Sequence, residues 1–186
     1  MVMGKILDNA KELTGYDTEY MYKIKSKIPM LCPFCHSRLE VIPNLDYMMQ
    51  KRKGDMYYTY DDICLVSERF KLFCDSNKYL NLKFIKLKKC NWYYFRPTGI
   101  FETDIYKNDL GLRCPYCNNY TDVCGGVYKA KRFEILSDDF ILSTDTFYGS
   151  SETKAPTIII GLKTMKKMNE YGLKGLCFSN VYECVE

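Results

Sequence analysis

Two short cysteine pairs are the residues best suited to chemistry in this chain: Cys32-Pro33-Phe34-Cys35 and Cys114-Pro115-Tyr116-Cys117. Two residues between paired cysteines let both sulfurs approach one metal from a tight turn, and two such turns complete a tetrahedral site. Each pair has proline after its first cysteine and an aromatic residue next. Proline fixes φ, and the knuckle can aim amide hydrogens at the thiolates. The pattern predicts that Cys32, Cys35, Cys114 and Cys117 together hold one structural Zn2+ ion. A metal enclosed by four thiolates has no open position for water, which argues against hydrolysis there. The 78 residues between Cys35 and Cys114 exceed the spacing of a simple zinc finger. The ion would therefore join distant parts of the chain, and closing a long loop makes such a clip stabilising.

Other uses of these cysteines are weaker. A CxxC pair can be a redox dithiol, but two proline-bearing copies without a thioredoxin-like pattern do not favour it. Each pair could also recruit its own further ligands, with Cys124 the candidate for the second pair, but the remaining partners are unspecified. Zinc knuckles often place glycine after the second cysteine, where His36 and Asn118 stand here. Both residue types tolerate positive φ, so His36, the one histidine, is expected to be a turn residue rather than a ligand. Cys64, Cys74, Cys177 and Cys184 fall within or beside strand and helix patterns and are expected as small core residues; Cys90 is left undecided.

Around these pairs, 186 residues with 47% hydrophobic and 27% charged content are enough for a sizeable core in one domain or two small ones. The first residues interrupt their apolar positions with Lys5, Asp8, Lys11 and Glu12, which does not suit a signal peptide. No later run reaches membrane-spanning length. Ten cysteines in such a chain are expected to meet a reducing cytoplasm as thiolate ligands or free thiols. A formal charge of +4 is too mild to make nucleic acid a whole-protein partner.

Ile6, Leu7, Ala10 and Leu13 fall near helical spacing with Gly15 as a stop, which predicts a helix over 5–14, and the alternation of Tyr20, Tyr22 and Ile24 predicts a strand. Strands are expected over 56–60 and 63–66, then a helix capped by Ser67 with Phe70, Phe73 and Cys74 on one face, then a strand through Leu82, Phe84 and Ile85. A similar unit follows near the C-terminus: a strand over 157–160, a helix lined by Leu162, Met165 and Met168 and stopped at Gly172, and a strand from Leu176. The two units match at a shift of about 95 residues, the cysteine pairs at 82, and a competing match aligns 61–70 with 138–147 at 77. Residues 148–156, with Gly149, Ser150, Ser151 and Pro156, are expected to form a surface loop. The fold class that follows is α+β: two related small modules with mixed sheets and short helices, bridged by the four-cysteine site. An N-terminal helix and strand (1–30) would precede a first module (31–97) and a second (98–186), the modules together forming one compact unit.

The chain resembles the bacterial double-CXXCG-motif proteins, which are similar to immunity proteins of polymorphic toxin systems. The carrying residues are both cysteine motifs, the segment Leu65-Val66-Ser67-Glu68-Arg69-Phe70, and the terminal Tyr171-Gly172-Leu173-Lys174-Gly175-Leu176-Cys177-Phe178. The resemblance implies a small non-enzymatic protein that neutralises a cognate protein toxin by binding it, and it supplies no contact residues.

Two surfaces were considered for a partner. Lys78, Lys83, Lys86, Lys88, Lys89 and Arg96 lie close to Trp92, Tyr93, Tyr94 and Phe95, so a nucleic-acid-binding zinc ribbon is the main alternative, with cations on phosphates and rings on unpaired bases. The preferred account of the same residues is an edge strand whose lysines discourage aggregation. The pairs Asp61/Asp62 and Asp138/Asp139 are ordinary turn or strand-edge residues unless they form an acidic contact surface for a basic toxin. No phosphate-binding glycine loop or HExxH motif is present, and the expectation is a non-enzyme.

Overall fold

The structure is a computed structural model that describes residues 4–24, 27–50, 52–103, 109–124 and 137–184. A mixed, curled sheet with two short helices makes up the fold, which is α+β. Its strands are β1 (Gly4–Thr18), β2 (Met56–Thr59), β3 (Cys64–Ser67), β4 (Leu82–Lys86), β5 (Trp92–Pro97), β6 (Ile100–Phe101), β7 (Asp109–Leu110), β8 (Asp122–Cys124), β9 (Ile141–Ser150), β10 (Ala155–Gly161) and β11 (Leu176–Cys184). The helices are α1 (Glu68–Ser76) and α2 (Leu162–Glu170). Neighbouring strands run β4-β5-β3-β2-β1-β10-β9-β8-β7, with β11 added to β1 and β6 to β9.

The long first strand corrects the helix expected over 5–14. Leu7, Ala10 and Leu13 are buried three residues apart, which imitates helical periodicity. A register shift between Ile6 and Lys11 in the pairing with β11 changes the strand's phase, so Leu7 and Ala10 enter one core cluster, while Ala10 and Leu13, in unbroken register with β10, face opposite sides of the sheet and enter different clusters. Gly15, expected to end the helix, instead lies where β2 comes close: a Cβ there would be 2.6 Å from the Met56 carbonyl oxygen. Residues 21–24 form a bend rather than the expected strand, Lys25 lying outside the described residues. The Met21 and Tyr22 amides donate to the Asp61 carboxylate at 2.9 and 3.0 Å, so their backbone is satisfied by a side chain instead of a ladder.

The other elements follow their local signals. Ser67 Oγ accepts the Phe70 amide at 3.2 Å as the α1 cap, and Phe70, Phe73 and Cys74 are buried beneath it. Fully burying a Phe contributes about 1.5–3 kcal/mol. α2 buries Met168 and Thr164, and Gly172 follows it at φ +75°. Residues 148–156 are not a loop insertion: β9 and β10 occupy most of them, joined by a single 3-10 turn at Ser151–Thr153. Pro156 is accommodated in β10 beside a register shift between Pro156 and Ile158.

The topology contains one pattern twice. β3 and β4 both pair antiparallel with β5, while β10 and β11 both pair antiparallel with β1. Each helix thus connects two strands that flank a third. The helices begin at 68 and 162 and the following strands at 82 and 176, an offset of 94 in both cases. The competing 77-residue match would set helical residues 68–70 against residues 145–147 of β9, and the element order does not follow it. Strands from both cysteine-bearing segments meet on β1, which pairs with β2 on one side and with β10 on the other. Among the described residues no helix is long and apolar enough to cross a membrane.

Candidate metal centre

The two cysteine turns leave the sheet at separate places. The first lies in the excursion between β1 and β2; the second is the connection between β7 and β8. Their backbones repeat each other at an 82-residue offset. The His36 amide donates to the Cys32 carbonyl at 2.9 Å, and the Asn118 amide to the Cys114 carbonyl at 2.9 Å. Cys32 N–H donates to the Ser37 carbonyl and Cys114 N–H to the Asn119 carbonyl, and each turn is closed by an antiparallel bridge, Leu31 with Arg38 and Arg113 with Tyr120. His36 and Asn118 have φ of 57° and 62°, the left-handed conformation that glycine usually supplies. His36 serves as a turn residue and is exposed.

The four sulfurs of Cys32, Cys35, Cys114 and Cys117 lie within 4.8 Å of one another. Cys32 and Cys114 are buried, the other two half-buried, and the cross-turn sulfur distances are 3.9 Å (Cys32 to Cys114) and 3.7 Å (Cys35 to Cys117). This is the one group of three or more Cys, His, Asp or Glu among the described residues that could hold a metal ion. Cys124, exposed in β8, is not part of it. Cys64 and Cys74 are buried and burial raises both thiols; Cys90 is half-buried, whereas Cys177 is exposed rather than in the core, and the side chain of Cys184 lies outside the described residues.

The donor set fits a soft cation on its own chemistry. Two thiolates at 4.8 Å repel by about 3–4 kcal/mol at an effective dielectric near 20, so four cannot be ionised together without a compensating charge. The titrations reflect this conflict. Burial opposes ionisation at Cys35, but hydrogen bonds from the Ser37 side chain and backbone and the thiols of Cys32 and Cys114 bring it down to about 6. Burial, offset in part by the Asn119 amide and reinforced by the other three sulfurs, pushes Cys117 up to about 11. The Ser37 hydroxyl is buried without a partner in strict hydrogen-bond geometry, which leaves the neighbouring Cys35 sulfur as the group it can favour.

A third element holds both turns together, and the sequence did not point to it. Ser151, at φ 46° in the corner between β9 and β10, accepts the Arg38 amide at 3.1 Å and donates its own amide to the Thr121 carbonyl at 3.2 Å. Lys154, 4% exposed, donates Nζ to the Tyr120 carbonyl at 2.6 Å. Desolvation lowers its pKa, against the pull of Cys35, Asp122 and Cys117. Arg38, 2% exposed, donates Nη1 to the Asp61 carbonyl at 2.7 Å. A serine and a lysine in a stretch that reads as a loop carry no sequence signal for this role.

The expected partner surfaces are rearranged. Lys86, Lys88 and Lys89 are exposed, Lys86 on the edge strand β4, but the aromatic residues beside them point into the protein. Tyr93 is 8% exposed and its hydroxyl donates to Glu68, Trp92 packs edge-on against Tyr57, and Arg96 is half-buried with its guanidinium over the Phe147 ring. Tyr93 is thus a core residue and Trp92 is half-buried, while the lysines border a sheet edge, as in the preferred account of this segment. The four carboxylates do not form one acidic surface either. Asp61 is fully buried on the Met21 and Tyr22 amides, Asp62 is half-buried, and Asp139 receives Tyr79, Thr164 and Lys167; Asp138 alone is exposed. The segments 65–70 and 171–178, far apart in sequence, meet through Asp55, which accepts Ser67 Oγ and the Lys174 amide, and through Arg69, which donates to the Tyr171 carbonyl.

No protein-family model matches the chain, and no curated protein matches its sequence. What the geometry establishes is a four-cysteine cluster able to hold a metal ion.

Proposed function

We propose that the chain is a non-catalytic zinc protein that recognises and neutralises a protein partner, as a bacterial immunity protein does with its cognate toxin. The observation that carries the zinc reading is the convergence of four cysteine sulfurs within 4.8 Å from turns 82 residues apart. Zinc suits an all-thiolate tetrahedral set, and a closed set serves folding rather than catalysis. When bound, the ion supplies a covalent-strength tie between the excursion before β2 and the hairpin before β8. Ser37 and Lys154 support the sulfurs from outside the ligand set. A reducing compartment such as the cytoplasm keeps those sulfurs available.

Two further strands of support are weaker. The repeated knuckle backbone and the repeated strand–helix–strand units favour two related modules, although their offsets of 82 and 94 require an insertion. The resemblance in the cysteine motifs and in the segments that meet at Asp55 favours the immunity role. That role is tested by expressing a toxin encoded beside this gene, with and without the protein. Relief of growth arrest by the parent, lost in Cys114→Ser/Cys117→Ser, is expected; arrest unrelieved by well-expressed parent contradicts the reading.

A further inference from the structure

Among the described residues, three of the four most exposed large apolar side chains belong to the two knuckles: Leu112 at 81%, Tyr116 at 69% and Phe34 at 67%. Phe34 and Tyr116 hold the same place in their turns, two residues after the first cysteine, and Pro33 and Pro115 beside them are exposed as well. Metal ligation needs neither ring. Each is displayed on a turn closed by backbone hydrogen bonds and set against the other turn at the sulfur cluster, so it would lose little freedom on binding. Rigid aromatic anchors of this kind dominate protein interfaces.

At the base of the two knuckles, where Arg38, Arg113 and Tyr120 close the turns, opens a cleft of about 450 Å³. Its walls include Arg38 and Leu39 behind the first knuckle, Arg113 and Asn119 in the second, Lys154 of the corner and Asp145 of β9. Three of these six are cations and one is an anion, and Asp145 already accepts the Thr103 amide and hydroxyl at 3.0 and 2.6 Å. Lys154 is taken up by the Tyr120 carbonyl and Arg38 by the Asp61 carbonyl. Arg113 is exposed, and among the described residues its one hydrogen bond runs from Nε to the Asn118 carbonyl, which leaves the outer edge of its guanidinium for a carboxylate.

We infer that the knuckle tips and this cleft form a single binding face for a protein segment in which an acidic side chain is flanked by apolar ones. Phe34, Tyr116 and Leu112 take the apolar groups and Arg113 takes the carboxylate. The assignment rests on the protein-binding reading above and gives it a surface. Nucleic acid fits the face less well. A phosphate chain needs a track of cations, and the exposed lysines of β4, Lys83 and Lys86, are not among the residues that line the cleft.

The test is selection of random peptides displayed on phage against the zinc-loaded full chain, followed by titration of a selected peptide. Selected peptides are expected to carry Asp or Glu between aromatic or aliphatic residues. Phe34→Ala/Tyr116→Ala, with zinc content and melting temperature matched to the parent, should weaken binding about tenfold or more. Arg113→Gln, which alters no core contact, should weaken it about fivefold, and amidating the peptide carboxylate should add nothing further in that variant. Peptides bound equally well by all variants would remove the face while leaving a protein-binding role intact. Failure to select any peptide, with oligouridylate bound by the parent and lost in the double variant, would overturn both.

Discussion

Arg38 and Tyr120 occupy equivalent positions, each closing the bridge that ends its knuckle. Arg38 turns inward: it is 2% exposed, donates to the Asp61 carbonyl, and stands beside a carboxylate pair of which Asp61 in turn holds the amides of Met21 and Tyr22. Tyr120 gives its backbone carbonyl to Lys154 and packs half-buried against the cluster of Leu7, Phe101 and Val123, and the arginine of its bridge, Arg113, is exposed. The same turn therefore sends a cation inward on one side and leaves it exposed on the other. The Ser151 corner holds both knuckles, and the difference lies beside it, where the first sets the buried Arg38 against the Asp61 carbonyl and the second takes the buried Lys154 on the Tyr120 carbonyl. An exposed, less encumbered second knuckle is free to carry a binding residue such as Arg113.

The largest effect should be the one that ignores this difference. Serine at Cys32 or at Cys114 breaks the same metal site, so either variant should lose the ion and most of the melting temperature, structural zinc contributing about 10 kcal/mol or more of binding free energy in small domains. Unequal loss would show that one knuckle folds without the metal. Arg38→Met and Arg113→Met should then separate the two sides. The first removes the cation from a buried network and should cost about 3 kcal/mol in denaturant unfolding; the second should stay within about 0.5 kcal/mol.

Asp62 sharpens the comparison through pH. Burial raises its pKa to about 6, against Arg38, which lowers it, and Asp17 and Asp61, which raise it. A carboxyl raised in the fold is a penalty when ionised: the fold loses stability as pH climbs from the unfolded value of 3.8 through about 6. Asp62→Asn should relieve that penalty, and the gain should be about 1 kcal/mol greater near pH 8 than near pH 5. The smallest effect concerns the shared positive φ. Glycine at His36 should stabilise by up to about 1 kcal/mol, and at Asn118 by less, because asparagine already tolerates the left-handed conformation; thermal melts of the two variants measure it.

The four-cysteine cluster was legible because CxxC spacing is a local constraint, and so were α1, α2 and the strands around them, where Ser67, the buried faces and Gly172 speak within one or two turns. Three features were not. Residues 5–14 read as a helix because Leu7, Ala10 and Leu13 recur every third residue, and only the distant pairing partners reveal a strand with a register shift before Lys11 and a core cluster on each face, Ala10 in one and Leu13 in the other. Residues 148–156 read as a loop because Gly149, Ser150 and Pro156 are turn formers, yet the isoleucines of β10 and the long β9 leave only a corner between them. The aromatic run 92–95 with its lysines resembled a binding face because sequence cannot say which side of a strand faces the core; pairing with both β3 and β4 buries it.

The most direct measurement is metal content and spectrum of freshly purified protein, with Co2+ exchanged for the native ion. One metal per chain, cobalt absorption typical of tetrahedral four-thiolate coordination, and loss of both in Cys32→Ser and in Cys114→Ser are the predicted result. A metal-free chain that is fully folded, or cobalt bound through only one cysteine pair, would contradict the account.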